Sequence, residues 1–348
     1  MSVPEISVIM PVYNGESFVE KAISSILNQS YTNFELIIIN DGSTDSSEQI
    51  ILSFKDTRIV YLKNEVNLKL IKSLNKGIVF AKGRYIARMD ADDISLPDRF
   101  EKQIEVFKTY TGIGIVNIQS YLLSEDGSLY RKLGSAITIN FEAIKNTIVF
   151  QNMIVHPGVM VDAELMKRYK YKDDESVEHI EDFDLWNRML ADGHICFTIN
   201  EHLLYYRDNN QSINHIHRKL QLERMYYLVD NLLHRNHGFK IDENVLMFIL
   251  GKLDIGSYKY LDKANDFLQS YCLKIKTGGV MSEDGYKDMV FWKRNLIFVS
   301  AIRALSFVGI LNKVGIFFFL LSKLGWMRDK KWRNRLKEMA IVFRHSFI

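Results

Sequence analysis

The sequence predicts an α/β protein with a mostly parallel central sheet, flanking helices and a helical C-terminal region. Three observations carry that prediction. Short β-branched runs alternate with segments of helical periodicity over the first hundred residues, and one of those runs is apolar at every position. From about residue 212 onward, long helical patterns replace the strand-like runs.

Residues 6–10 (ISVIM) form the first strand-like run and lead into the turn residues Asn14 and Gly15. Phe18, Val19, Ala22, Ile23, Ile26 and Leu27 then recur at helical spacing and predict one buried stripe. Residues 36–39 (LIII) are apolar throughout, as a central strand covered on both faces must be. A loop at 40–43 (NDGS), a helix over 46–54, a strand over 59–62, a helix over 68–81 and a strand over 85–89 follow. This β-α-β-α-β-α-β order predicts parallel strands, with ligands bound beyond their carboxyl ends. The segments there are 11–14 (PVYN), 40–43 and 90–93 (DADD), two of which bring carboxylates. Past Pro97 a helix runs to about Tyr110, followed by shorter strand-like pieces at 113–118, 160–161 and 203–206.

A chain of 348 residues, 47% hydrophobic and 25% charged, is long enough for a large core and has neither a disordered nor a fibrous composition. Its net charge of +3 is unevenly divided. Residues 323–348 hold eight Lys/Arg against two Asp/Glu, a net +6, which leaves −3 for the rest. Cys196 and Cys272 lack metal-ligand spacing, and a reducing compartment is the expectation. The N-terminus has no basic segment ahead of an apolar one, so no secretory signal is expected. The longest apolar run near the C-terminus is 316–321, well short of the roughly 20 residues that span a bilayer.

Asp90, Asp92 and Asp93 crowd three carboxylates into four residues, an arrangement that a divalent cation with oxygen ligands would stabilise. A solvated acidic loop, with Asp93 capping the next helix, is the plainer alternative. Asp41 either accepts a hydrogen bond from a base or sugar, or caps the helix that follows. Glycine-rich phosphate loops are absent: Gly112-Ile113-Gly114 lacks a third glycine, and no Gly-Lys-Ser/Thr occurs. Glu181 and Asp182 precede the stripe Phe183, Leu185, Trp186, Met189 and Leu190, which places them at a helix N-terminus, where the dipole alone favours acids. His156 and Pro157 fit either a site wall or ordinary turn chemistry. His215, His217, His234 and His237 stand among basic residues and read as surface histidines.

Residues 6–14 (ISVIMPVYN), 40–45 (NDGSTD), 82–93 (KGRYIARMDADD) and 181–186 (EDFDLW) resemble the family 2 glycosyltransferases of the GT-A fold, over about residues 6–207. The resemblance implies transfer of a hexosyl or N-acetylhexosaminyl group from a nucleotide diphosphate donor, expected to be a UDP-sugar, with inversion. It implies that Pro11, Val12, Tyr13, Asn14 and Asp41 border the base, with Glu16, Asn67 and Ala91 also on the donor side. Asp90 would face the ribose, Asp92 would ligate Mn²⁺ or Mg²⁺, and Asp182 in the Glu181-Asp182 pair would be the general base. Asn40 departs from a frequent Asp, Lys69 from a frequent Gly and Gly158 from a frequent Ser. Inverting transfer needs at least one carboxylate to take the acceptor proton and a cation to offset charge on the departing diphosphate.

The last fifty residues are apolar but interrupted, and Trp332, Leu336, Met339, Ala340 and Phe343 form a stripe flanked by Lys330, Lys331, Arg333, Arg335 and Lys337. A basic amphipathic helix of this kind predicts contact with an anionic membrane surface, against a core helix with solvated charges. No stacking or groove-reading module accompanies the basic run, so nucleic acid is not an expected partner. The expectation is therefore a catalytic domain over 1–211, with its donor side at about 1–110 and its acceptor side at 111–211. A helical region over 212–348 would follow, with a membrane-associating tail from about 296. The protein would sit in the cytoplasm on the inner face of the cell membrane. It would glycosylate a lipid-linked glycan of a lipopolysaccharide or capsule-like polysaccharide. A non-catalytic nucleotide-sugar-binding or scaffold protein on the same fold is the alternative; loss of Asp92 or Asp182 would mark it, and both are present.

Overall fold

A computed structural model describes residues 3–124, 126–133, 141–208, 217–250, 260–278 and 281–305. Two compact units divide the chain, residues 1–238 and 239–348.

In the first unit, β1 (Ile6–Val12) and β2 (Phe34–Asp41) are buried at every position, the signature of strands covered on both faces. They pair in parallel with each other, β2 pairs with β3 (Ile59–Asn64), and β1 pairs with β4 (Tyr85–Arg88), all in the same direction. The connecting helices α1 (Val19–Leu27), α2 (Ser47–Ser53) and α3 (Leu70–Phe80) close the predicted crossovers. α1 buries Val19, Ala22, Ile23 and Ile26, the stripe read from the sequence.

The second half of the sheet is mixed. A short β5 (Ile94–Ser95) and α4 (Arg99–Thr109) lead to the long β6 (Ile113–Leu123), followed by β7 (Leu129–Leu133) and α5 (Phe141–Thr147). Next come β8 (Met160–Asp162), α6 (Ala163–Tyr169), α7 (Glu181–Ala191) and β9 (Ile195–Arg207). The strand order is β3-β2-β1-β4-β8-β6-β9-β5, with β7 added on β6. β8 runs antiparallel between β4 and β6, while β6 and β9 are parallel with register shifts that mark bulges. Gly158 lies just before β8, and a Cβ there would stand 2.7 Å from Ile118 Cγ1, so packing accounts for glycine at that position.

The first unit ends with α8 (Arg218–His237), closed by Gly238 in the left-handed conformation. The second unit contains α9 (Glu243–Ile249), α10 (Leu261–Thr277) and α11 (Glu283–Leu305). Their core includes Leu246, Leu268, Tyr271, Cys272, Met289 and Trp292. Lys293 is buried there and donates to Gln269 Oε1 at 2.5 Å. No helix among the described residues is long and apolar enough to cross a membrane. The basic amphipathic segment expected around residues 330–343 lies outside the described residues, as does His215.

Candidate active site

Hydrogen bonds fasten together the loops beyond the carboxyl ends of β1 and β2. Asn14 N–H donates to Ser43 Oγ at 3.1 Å, and Thr44 N–H returns to Asn14 Oδ1 at 2.8 Å. Glu16 N–H donates to Asp45 Oδ2 at 3.0 Å, while the Glu16 carboxylate accepts from Ser46 N–H at 2.9 Å. The Glu16 side chain thus stitches one loop to the other. Pro11 and Val12 are buried in the last stretch of β1, whereas Tyr13 is half exposed at the lip.

Asp41 is buried at the end of β2, and its Oδ1 accepts from Asn64 Nδ2 at 2.7 Å and from Leu68 N–H at 2.9 Å. It does not cap α2, whose N-cap is Ser46, so the capping alternative is corrected: the carboxylate orders the loop after β3. Gly42 has φ +70°, and a Cβ on it would lie 2.6 Å from the Val66 backbone, which is how close the two loops pass. Asn40 is fully buried; its amide donates to Tyr61 Oη at 3.0 Å, and Tyr61 in turn donates to Glu48 at 2.8 Å. An amide supplies the donor that this chain of bonds requires, which accounts for Asn at the position. Exposed Asn67 accepts from Lys69 N–H at 2.8 Å. Lys69 itself has φ 70° and ψ 166°. That backbone region is nearly glycine-only and costs other residues about 1–3 kcal/mol.

The acidic loop follows β4. Ligand atoms of Asp90, Asp92 and Asp93 all lie within 4.8 Å of one another. Asp93 does not cap α4, whose N-cap is Asp98, and this corrects the plainer reading of Asp93. Instead its Oδ1 accepts from Arg207 N–H at 2.8 Å, and its buried Oδ2 has no donor among the described residues. Burial and then the neighbouring charge of Asp90 push the Asp92 carboxyl up to about 6. Burial, then Asp92 and Asp90, hold Asp93 well above the usual carboxylate range. A crowded carboxylate set with a donorless buried oxygen suits a hard, oxygen-seeking cation, and Asp90, Asp92 and Asp93 are the groups that could hold one. Ala91 is half-buried between them and faces Gly15, so the loops after β1 and β4 also meet.

Two arginines to which the sequence reading gives no role support this loop. Arg88, 2% exposed in β4, pairs with Asp90, and its Nε–H has no acceptor among the described residues. Burial works against the Arg88 charge and Asp90 supports it, with the balance upward. Arg207, at the end of β9, donates from Nε to Asp92 O at 2.9 Å and lies over the Phe18 ring at 4.5 Å.

The second acid group begins α7. Asp182 is half-buried; its Oδ2 accepts from Asn152 Nδ2 at 2.7 Å and its Oδ1 from Phe183 N–H at 2.7 Å. Burial raises the Asp182 carboxyl, and these two donors offset that rise only in part. Burial and then the charge of Asp182 push Glu181 up to about 7. The Arg88 charge favours ionisation in both acid groups. Nearby, His156 Nε2 lies 2.7 Å from Tyr171 Oη, and Asn75 of α3 fixes the Tyr171 backbone through bonds of 2.8 and 3.0 Å. Burial, with Arg88 adding to it, holds His156 well below its ordinary value. The arrangement offers a lip lined by loops, a cation-competent carboxylate set, and an oriented carboxylate able to accept a proton.

Known proteins resemble this chain in sequence and in fold. Glycosyl transferase family 2 matches residues 7–169. An uncharacterized glycosyltransferase of Methanocaldococcus jannaschii is 35% identical over 243 residues, 68% of this chain and 82% of the relative. The UDP-Glc:alpha-D-GlcNAc-diphosphoundecaprenol beta-1,3-glucosyltransferase of Escherichia coli is 29% identical over 195 residues, 55% of this chain and 71% of that enzyme. A mannosyltransferase from Pyrobaculum calidifontis, solved in complex with GDP-Man and Mn²⁺, superposes with a TM-score of 0.54 at 14% identity, covering 88% of each chain.

Proposed function

The chain belongs to glycosyltransferase family 2 and has its GT-A fold, and on that premise we propose that it is an inverting, UDP-sugar-dependent hexosyl- or N-acetylhexosaminyltransferase. The acceptor is a hydroxyl of a lipid-linked glycan in surface polysaccharide assembly. The donor side lies at about 1–110 and the acceptor side at about 111–211. The Escherichia coli relative, whose name gives UDP-Glc as donor and a diphosphoundecaprenol-linked sugar as acceptor, supports both substrate assignments. The basic tail supports work at the inner face of a membrane.

In this reading Tyr13, Asn14 and Asp41 border the nucleotide base, on a lip held in shape by Pro11, Val12, Glu16 and Asn67. Asp90 faces the ribose, beside Ala91. Asp92, with Asp90 and Asp93 beside it, would hold Mn²⁺ or Mg²⁺, which when bound supplies positive charge opposite the departing nucleotide diphosphate. Asp182 takes the proton from the acceptor hydroxyl, and the Asn152 amide and Phe183 N–H keep its two oxygens in place for that transfer. Buried Glu181 modulates the charge beside it.

The observation that most supports this reading is Asp182, a half-buried carboxylate oriented by two donors at 2.7 Å within reach of the Arg88 field that also acts on the acidic loop. The test is a panel of UDP- and GDP-sugars, assayed for transfer to a lipid-diphosphate-linked sugar with Mn²⁺, with Mg²⁺ and with chelator. Cation-dependent transfer from a UDP-sugar is the expected result. Binding of nucleotide sugars without turnover on any acceptor would favour the scaffold alternative.

A further inference from the structure

We propose that Lys69 and Glu178 are positioning residues, an ionic clamp across the mouth of the site that sets the Asp182 carboxylate relative to the donor-side lip. This rests on the assignment of Asp41 to the donor side and of Asp182 as the base.

The clamp is built from both sides. On the donor side, Asp41 Oδ1 accepts from Leu68 N–H at 2.9 Å and Asn67 Oδ1 accepts from Lys69 N–H at 2.8 Å, so the backbone that carries Lys69 is tied to the proposed nucleotide contact. Lys69 Nζ then reaches Glu178 Oε1 at 2.6 Å, across 109 residues of sequence. On the other side, Arg224 of α8 donates to Glu178 O at 2.6 Å and stands 3.6 Å from its carboxylate. Gln221 holds His179 O at 3.0 Å, and the His217 ring stacks on His179 with centroids 4.1 Å apart. His179 has φ 69°, a left-handed turn conformation uncommon for residues other than glycine. Two residues later α7 begins, with Asp182 in its first turn. The segment that presents the base is therefore fixed between α8 and the Lys69 ammonium.

Stability does not explain Lys69. Its side chain is 73% exposed, and ion pairs that open to water contribute little to folding. Its backbone meanwhile occupies a region that glycine alone enters freely, so the fold by itself would be better served by glycine. What lysine adds is the link to Glu178. A link that misplaces a base when it is lost is felt in turnover, since small displacements of reacting groups cost rate steeply.

The experiment uses the full chain and the variants Lys69→Gly, Lys69→Arg, Glu178→Gln and the Lys69→Gly/Glu178→Gln double. Both Lys69→Gly and Glu178→Gln are expected to lower kcat by about 10-fold, with the double no worse than either, because two halves of one contact do not add. Lys69→Arg keeps the cation and retains kcat to within about threefold. The Kd for UDP stays within about threefold throughout, and Lys69→Gly melts no lower than the parent, since its backbone strain is relieved. Unchanged kcat in Lys69→Gly, or a double mutant near 100-fold that multiplies the two losses, would overturn the clamp. If the parent transfers sugar from no donor, the functional reading fails by itself. The clamp is then decided by hydrogen exchange at the Phe183 amide, which bonds Asp182 Oδ1. Faster exchange in Lys69→Gly supports it and an unchanged rate sinks it.

Discussion

The two acid groups of the site are made of the same side chains and are treated differently by their surroundings. Asp90, Asp92 and Asp93 follow a strand, which supplies no helix dipole, and one buried oxygen of Asp93 has no donor among the described residues. Glu181 and Asp182 open a helix, whose dipole favours negative charge, and both oxygens of Asp182 accept hydrogen bonds. The first group is under-compensated and suits a cation. The second is compensated by protein donors and is oriented to take a proton. Composition is shared, so what separates a proposed metal site from a proposed base is the supply of donors around it.

Swapping carboxylate for amide in each group tests that division. In the base group, Asp182→Asn is expected to lower transfer by about 10²–10⁴-fold, the usual contribution of a general base, while UDP affinity holds within a few-fold. Initial rates and calorimetry read the two quantities separately, and turnover comparable to the parent would remove Asp182 from the chemistry. In the loop group, Asp92→Asn is expected to weaken UDP binding by about 10–100-fold in the presence of Mn²⁺ and not at all with chelator. An equal loss in both conditions would mean that Asp92 meets the nucleotide without a cation, and the contrast between the groups would collapse.

The first half of the sheet was legible because periodicity there is unambiguous. β1 and β2 read as apolar runs, and α1 as a single stripe, since both faces of the sheet are covered. The second half was less so. β9 spans 13 residues, but its burial is irregular, with exposed Asn200 and Glu201 inside it, and its register against β6 shifts, so only its end at 203–206 stood out. Asp41, Asp90, Asp92, Glu181 and Asp182 could be picked out by motif. Their partners could not. Asn152 meets Asp182 across 30 residues, Arg207 meets Asp92 across 115 and Lys69 meets Glu178 across 109, distances over which local pattern carries no information. One signal was available: a charged residue, Arg88, inside an otherwise apolar strand.

The smallest expected effect separates the members of the base group from each other. Glu181 is buried, and burial followed by the Asp182 charge raises its carboxyl from 4.5 to about 7. Between those two values the native protein holds a proton that the unfolded chain has released, so stability falls as pH rises from about 4.5 through about 7, then levels off. Above pH 7 the native state carries an ionised, desolvated Glu181, a cost that Glu181→Gln does not carry. The variant is therefore expected to be more stable than the parent by on the order of 1–3 kcal/mol at pH 8. Near pH 4.5 both side chains are neutral in the fold, and the difference should vanish. Urea midpoints at the two pH values measure this directly. A gain that persists unchanged at the lower pH would come from packing and would deny Glu181 its raised carboxyl. A gain confined to the higher pH would show that the desolvated charge of Glu181 is what the amide removes.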